Sequence, residues 1–345
     1  MDKWQNSKRL GISPEVLAIL CCPSCRGSLT EQEAGLCCGH CGRFFPLVNG
    51  IVRFVGAENY ASSFGFQWNK YVRTQLDHDG SHESEDEFRE RTGFSPQELS
   101  GKLILDVGCG MGRFAEVVSR WGARVVGIDL SNAVEAAALN LVDRSSVTLF
   151  QADVFSLPFA AESFDYIYSI GVLHHTPDCE KAFKALPTLL KPGGSIAVWL
   201  YSGYNKWYRF SDLYRRLTHR MSATSLLALC KVAANLYYVY RGLRRIPLVG
   251  PPVSGALHHL LPVCMNPDRE HRVLDTFDWY SPKYQSKHTY EEVFRWFESS
   301  GLESMRVQGL PISVRGSKPL RVPDGGVQNG PAIDCTVATA ETGST

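Results

Sequence analysis

The sequence predicts an α/β protein. Its core is a doubly wound, mainly parallel sheet, led by a small cysteine-rich module and interrupted late by a helical insertion. Three observations predict this. Residues 103–129 read strand, glycine-rich turn, helix and strand, which is one βαβ unit. Six of the eleven cysteines crowd into Cys21–Cys41. Residues 203–288 separate the last parallel-type strand from a closing hairpin.

A length of 345 residues suggests about two domains. The net charge of +1 excludes a global field toward nucleic acid or anionic membranes, so any such attraction must be local. The first fifteen residues, "MDKWQNSKRLGISPE", hold no apolar h-region or small-residue cleavage site. No window of about 18 residues is free of polar interruption. The expectation is a cytoplasmic chain without a transmembrane helix. A reducing compartment weighs against structural disulfides.

The cysteines are spaced Cys22-x2-Cys25, then twelve residues, then Cys38-x2-Cys41. Two such knuckles bring four thiolates together around a tetrahedral zinc, with no open position for catalysis. The metal also supplies folding energy that so short a segment lacks. Cys21 and Cys37 read as bystanders. A redox C-x-x-C would normally come singly. Before the cluster, Ser13 and Pro14 open a short helix. After it, "GRFFPLVNGIVRFV" reads strand, Asn49-Gly50 turn and strand. This order resembles the small zinc-ribbon family that partners and activates tRNA and protein methyltransferases, over residues 13–56.

Residues 57–100 form a linker with short helices, one opened by a Ser84-x-x-Glu87 capping box and one by Pro96. Either it is a plain connector, or Phe66, Trp68, Tyr71 and Arg73 lie over the cofactor pocket of the next domain.

That domain is read as 101–316. Leu103–Val107 is a buried strand, Gly108–Gly112 the turn, Phe114–Trp121 a helix and Arg124–Ile128 the next strand, ending at Asp129. Asp129 stands 21 residues after Gly108, where a carboxylate can accept ribose hydroxyls. A dinucleotide fingerprint would want glycine where the chain has Arg113. The pattern from Asp106, D-x-G-C-G-x-G, resembles class I S-adenosylmethionine-dependent methyltransferases. "VTLFQADVFSLPF", "SFDYIYSIGVLHHTPD" and "ALPTLLKPGGSIAVWLY" follow in the family's order, the last read as helix, Lys191–Gly194 turn and strand. "LESMRVQGLPISVRGSK" supplies a closing hairpin.

The resemblance implies a Rossmann-like, seven-stranded sheet with a C-terminal antiparallel hairpin, and S-adenosylmethionine as cofactor. Gly108, Cys109, Gly110 and Gly112 would meet its methionine portion, with Asp106 holding the loop or the amino group. Asp129 and Leu130 would meet the ribose, and Asp153 and Val154 the adenine. Ile170 and Gly171 would flank the sulfonium.

Methyl transfer from a sulfonium is an in-line displacement, so the protein chiefly positions reactants and excludes water. A base is needed only where the acceptor must lose a proton. His174 and His175, at the ligand end of the fourth strand, are the candidates. One of them could equally shape the loop, since the Leu-His-His run recurs in the family.

The insertion 203–288 reads as a helical lid. Its segment 224–250 admits three readings: a helix packed on the core, an amphipathic element for a lipidic acceptor or peripheral membrane contact, or a basic patch for RNA. Trp68, Tyr280, Tyr284 and His288 are candidate substrate contacts. Thr289 and Glu292 form a capping box for a late helix, and residues 317–345 are expected to be disordered.

The functional expectation is methyl transfer to a small organic or lipid-like acceptor. The alternative is an RNA base methyltransferase whose ribbon contacts RNA, although the ribbon's basic residues are only Arg26, Arg43 and Arg53. A non-catalytic scaffold is opposed by the intact cofactor motif.

Overall fold

The computed structural model describes residues 11–56, 59–77, 80–204 and 209–321, so the tail from 322 onward lies outside it. Ser13 caps α1 (Pro14–Ile19), its hydroxyl accepting from the Val16 amide at 3.3 Å. Four strands follow as antiparallel hairpins: β1 (Leu29–Gln32), β2 (Gly35–Cys38), β3 (Phe44–Val48) and β4 (Ile51–Arg53). Asn49 and Gly50 both take positive φ, 52° and 78°, as a two-residue hairpin turn requires.

The linker holds α2 (Ser62–Lys70), α3 (Glu83–Thr92) and α4 (Pro96–Leu99). The expected capping box at Ser84 does not form. Helix α3 starts two residues earlier than that box would place it, with His82 as its N-cap, and the Asp77 carboxylate accepts the Ser84 amide at 2.7 Å. The Ser84 hydroxyl instead donates to the Gln75 carbonyl and accepts from Arg113 Nε. An ion pair from Arg113 to Glu87 also ties the linker to the helix behind the glycine turn.

The parallel core is β5 (Leu103–Val107), α5 (Arg113–Arg120), β6 (Arg124–Asp129), α6 (Ala133–Asn140), β7 (Val147–Gln151), β8 (Phe164–Ile170), α7 (Cys179–Lys184) and β9 (Leu190–Trp199). The helix before the fifth strand is α7, upstream of the expected position, and only a short 3-10 turn spans Pro187–Leu189. Lys191–Gly194 is not a separate turn. It is absorbed into β9 as a bulge between the pairs Phe164–Leu190 and Tyr166–Ser195.

The insertion folds as α8 (Arg209–Thr218), α9 (Ala223–Ala233), α10 (Leu236–Leu243), α11 (Gly250–Leu260) and α12 (Arg269–Tyr280). Then come α13 (Tyr290–Ser299), with both halves of its Thr289–Glu292 box, and the hairpin β10 (Glu303–Val307) and β11 (Ser313–Ser317). Lys318 extends that ladder, its amide donating to the Gly194 carbonyl, so the first residues assigned to the tail pair with the sheet.

The strand order is β1-β2-β3-β4-β7-β6-β5-β8-β9-β11-β10. The last seven are the doubly wound sheet with its antiparallel end. The ribbon's four strands continue it through a parallel pairing of β4 on β7, Val52 opposite Phe150 and Arg53 opposite Gln151. A second seam runs beside it: Leu20 bridges Phe159, the Cys21 amide donates to Pro158, and the Ala160 amide donates to Ile19. Arg26 reaches across and donates to the Leu157 and Phe159 carbonyls at 2.9 and 2.5 Å. Leu20, Phe45 and Val52 of the ribbon share one core with Phe150, Phe159 and Phe164.

Inside the insertion, Leu226, Leu227, Cys230, Val273 and Phe277 form a separate small core. Phe66 and Tyr71 of the linker pack onto this core, while Arg73 is exposed. Arg272 is fully buried there, donating to the Ala234, Asn266 and Pro267 carbonyls beneath the Tyr237 ring.

Phe159 is fully buried at the junction, with the Phe150 and Phe164 rings 6.1 and 5.1 Å away. Phe159→Ala is expected to cost about 3–5 kcal/mol in urea unfolding, because it opens a cavity shared by both modules.

Candidate active site and metal centre

The two knuckles are built alike. The Arg26 amide donates to Cys22 and the Gly42 amide to Cys38, both at 2.9 Å, and residues 26 and 42 both take positive φ. The Sγ atoms of Cys22, Cys25, Cys38 and Cys41 all lie within 4.8 Å of one another, with Cys22–Cys41 at 3.7 Å and Cys25–Cys38 at 3.4 Å. A zinc with Zn–S of about 2.3 Å needs tetrahedral S–S edges of about 3.8 Å, so the thiols fit it. Cys21 and Cys37 lie outside the cluster. Cys21 pairs with Ser28 on the backbone, and the Cys37 thiol faces the Cys38 and Gly42 carbonyls.

The glycine turn joins β5 to α5. Gly108 has φ 81°, and a Cβ there would lie 2.3 Å from the Val172 side chain. Gly110 has φ 53°, and a Cβ would sit 3.4 Å from the Trp68 indole nitrogen. The Gly108 backbone thus approaches its neighbour more closely than a side chain would permit, while Trp68 lies at ordinary contact distance from Gly110. Gly112 packs behind the loop against Leu141.

A cavity of about 360 Å³ opens at the C-terminal ends of the parallel strands. Gly108, Cys109, Gly110, Asp129, Leu130, Asp153, Val154, Ile170 and Gly171 line it, as do Trp68 and His175. Asp129 accepts the Gly110 amide at 2.9 Å through one oxygen, and the Ser131 amide and hydroxyl through the other. Asp153 accepts the Phe155 amide at 3.0 Å. Asp106 stands behind the loop, and burial pushes its carboxyl up to about 8.

Four candidates fall elsewhere. His174 is fully buried outside the lining, stacked on Tyr201 at 4.0 Å, and neither ring nitrogen has a hydrogen-bond partner. Burial holds it well below the usual histidine range, so it acts as an apolar wedge. Tyr280 points into the insertion's core, its hydroxyl donating to Pro262. The Tyr284 ring meets Tyr60 at 5.5 Å behind the lining, and its carbonyl bonds His175 Nδ1 at 3.0 Å. His288 belongs to a separate cleft with Cys179, Glu292 and Trp296.

The sequence reading placed Trp68 over the pocket but missed the rest of the cavity's roof. Helix α2 and the turn before it bring Tyr60, Phe64 and Gln67, and α12 brings His271, Asp275 and Asp278. Asp278 accepts from the Tyr201 hydroxyl at 3.2 Å, and burial pushes it up to about 7. Burial also raises Asp275. His175, also buried, is pushed down to about 4. With Nδ1–H donating to Tyr284, its Nε2 carries the free lone pair.

Residues 105–198 match the family described as a methyltransferase domain, and residues 13–50 the one described as Trm112p-like protein. The chain carries a methyltransferase domain behind a Trm112p-like module. Among curated relatives, the ubiquinone biosynthesis O-methyltransferase of Paraburkholderia phymatum is 37% identical over 131 residues, covering 37% of this chain and 56% of the relative. Phosphoethanolamine N-methyltransferase 2 of Caenorhabditis elegans is 37% identical over 111 residues, covering 31% of this chain and 25% of that protein. The matches therefore span about half or less of these relatives. A solved complex containing the Haloferax volcanii Trm112 methyltransferase activator aligns over 77% of this chain and 99% of the matched chain, at 14% identity and TM-score 0.43. The methyltransferase domain is of the S-adenosylmethionine-dependent kind, and the glycine loop, Asp129 and Asp153 are the groups that would hold that cofactor.

Metal analysis is expected to find about one zinc per chain. It should be lost in Cys22→Ser and Cys41→Ser, and kept in Cys21→Ser and Cys37→Ser. Gly108→Ala places a methyl group into Val172 at a left-handed φ, so calorimetry should show S-adenosylmethionine affinity falling at least tenfold.

Proposed function

We propose that the chain is an S-adenosylmethionine-dependent methyltransferase acting on a small organic or lipid-like acceptor. The observation that carries this reading is the roofed cavity. One wall is the glycine loop and the strand ends. The opposite wall is α2 and α12, which bring aromatic rings together with Asp275 and Asp278. A volume of about 360 Å³ falls in the size range of small-molecule pockets.

The cofactor, when bound, supplies a methyl group already activated on a sulfonium. The chain's part is to orient the acceptor, exclude water and take a proton where the acceptor bears one. Asp278 suits that last task. Its carboxyl titrates near neutrality, it faces the cavity, and the Tyr201 hydroxyl fixes one oxygen. His175 offers a neutral Nε2 on the same cavity and suits hydrogen bonding to the acceptor. His174 holds Tyr201 in place by stacking.

A second reading, transfer to an RNA base, draws on the Trm112p-like match. The ribbon gives it little surface. Arg26 is spent on the Leu157 and Phe159 carbonyls, and Arg53 on Glu135 and Gln151, which leaves Arg43.

Incubating cell extract with methyl-labelled cofactor should label small organic or lipid products. Label appearing only in RNA, with binding that weakens steeply with salt, would replace this reading by the second. Once an O–H or N–H acceptor is in hand, Asp278→Asn should cut turnover about 10²–10⁴-fold at unchanged cofactor affinity. Wild-type kcat should rise with pH through about 7, because the base must be ionised. His174→Ala should act mainly through stability, and His175→Ala mainly through KM.

A further inference from the structure

The outer half of the insertion has a surface that the cavity does not use. From Leu213 to Pro267 the chain runs 55 residues with seven Lys and Arg and no Asp or Glu, while the remaining residues sum to −6. Fourteen of the twenty-one large apolar side chains exposed among the described residues fall between Leu213 and Leu261. The two properties meet at the tip joining α10 to α11. There Ile246, Pro247, Leu248, Val249, Pro251, Pro252 and Val253 are all exposed, Leu248 at 94%. Arg241, Arg244 and Arg245 flank this knob on its N-terminal side and make no ion pair among the described residues. Arg216 on α8, Arg220 in the turn after it and Lys231 on α9 are exposed as well.

We propose that the α10–α11 tip docks the protein on an anionic lipid bilayer, the aliphatic knob entering the interface while the arginines contact headgroup phosphates. The charge pattern matches that surface, since each basic residue near an anionic leaflet adds to attraction. The apolar knob selects the bilayer over the other polyanion, RNA. Phosphate contacts would leave those aliphatic side chains in water, whereas the headgroup–acyl boundary buries them. The tip is held firmly enough to present them. The Tyr240 hydroxyl donates to the Leu261 carbonyl at 2.9 Å, and Ser254 donates to the Tyr240 carbonyl at 3.0 Å. Among the described residues no helix is long and apolar enough to cross a membrane, so the contact is peripheral. The inference stands whether or not the methyl acceptor is a lipid.

Vesicle flotation of the full-length, zinc-loaded protein tests it, using phosphatidylcholine with and without phosphatidylglycerol. Wild type should float with the anionic vesicles and far less with the neutral ones. Leu248→Asp with Val249→Asp should abolish flotation. Replacing Arg241, Arg244 and Arg245 by Gln should weaken anionic binding at least tenfold. All five side chains are exposed, so unchanged melting and cofactor binding should accompany each loss. Three results would overturn the proposal: no flotation of wild type with anionic vesicles, aspartate variants that float like wild type, or an aspartate effect confined to self-association. RNA binding that needs the arginines but ignores Leu248, in protein that does not float, would assign the surface to nucleic acid instead.

Discussion

The pairing of β4 with β7 fixes the edge strand from which one wall of the candidate cofactor site continues. An open parallel sheet leaves an unpaired edge that must be covered. Here the cover is a strand held by a metal module. Four thiols set two knuckles, the knuckles set the hairpins, and the last hairpin presents Arg53 to Gln151. The consequence continues inward. The Gln151 amide donates to the Leu130 carbonyl at 2.9 Å, on the loop beside Asp129. One residue beyond Gln151 the chain turns into Ala152, Asp153 and Val154, all on the cavity wall. The four-cysteine module thus helps fix where two loops leave the sheet.

The insertion divides its work. Its inner helix, α12, is anchored by the buried Arg272 and turns Asp275 and Asp278 toward the cavity. Removing a carboxylate from water favours its neutral form, and a hydroxyl neighbour only partly restores the charge. Such groups mark sites where proton transfer near neutral pH is practicable. Its outer helices leave many apolar side chains exposed and keep Arg216, Arg241, Arg244 and Arg245 in solvent. The same insertion therefore shapes the cavity on one side and meets the surroundings on the other.

Local chemistry made much of this legible in the sequence. The C-x2-C spacing, the Asn49-Gly50 turn, the Thr289–Glu292 box and the strand–glycine–helix unit each follow from contacts within a few residues. Their structures match to within a residue or two. What the sequence hid depends on partners far away. Ser84 looks like a helix cap until Asp77 and Arg113 compete for its amide and hydroxyl. Lys191–Gly194 looks like a turn until β8 and Lys318 hold it in a ladder. Asp278 is one acid among several in a polar stretch, and only the packing of α12 over Tyr201 distinguishes it. His174 was prominent for its position, but stacking removes it from the cavity. Nothing in the sequence near Val52 announces its place opposite Phe150, far along the chain.

That last separation has a meaning in time. Arg53 and Gln151 are 98 residues apart in the chain. A ribosome adding about 5–20 residues per second delivers β7 roughly 5–20 s after β4. During that interval the cysteines can already be metal-loaded, while Leu20, Phe45 and Val52 have no sheet to cover. The nascent ribbon then carries an apolar face whose cover has not yet been made.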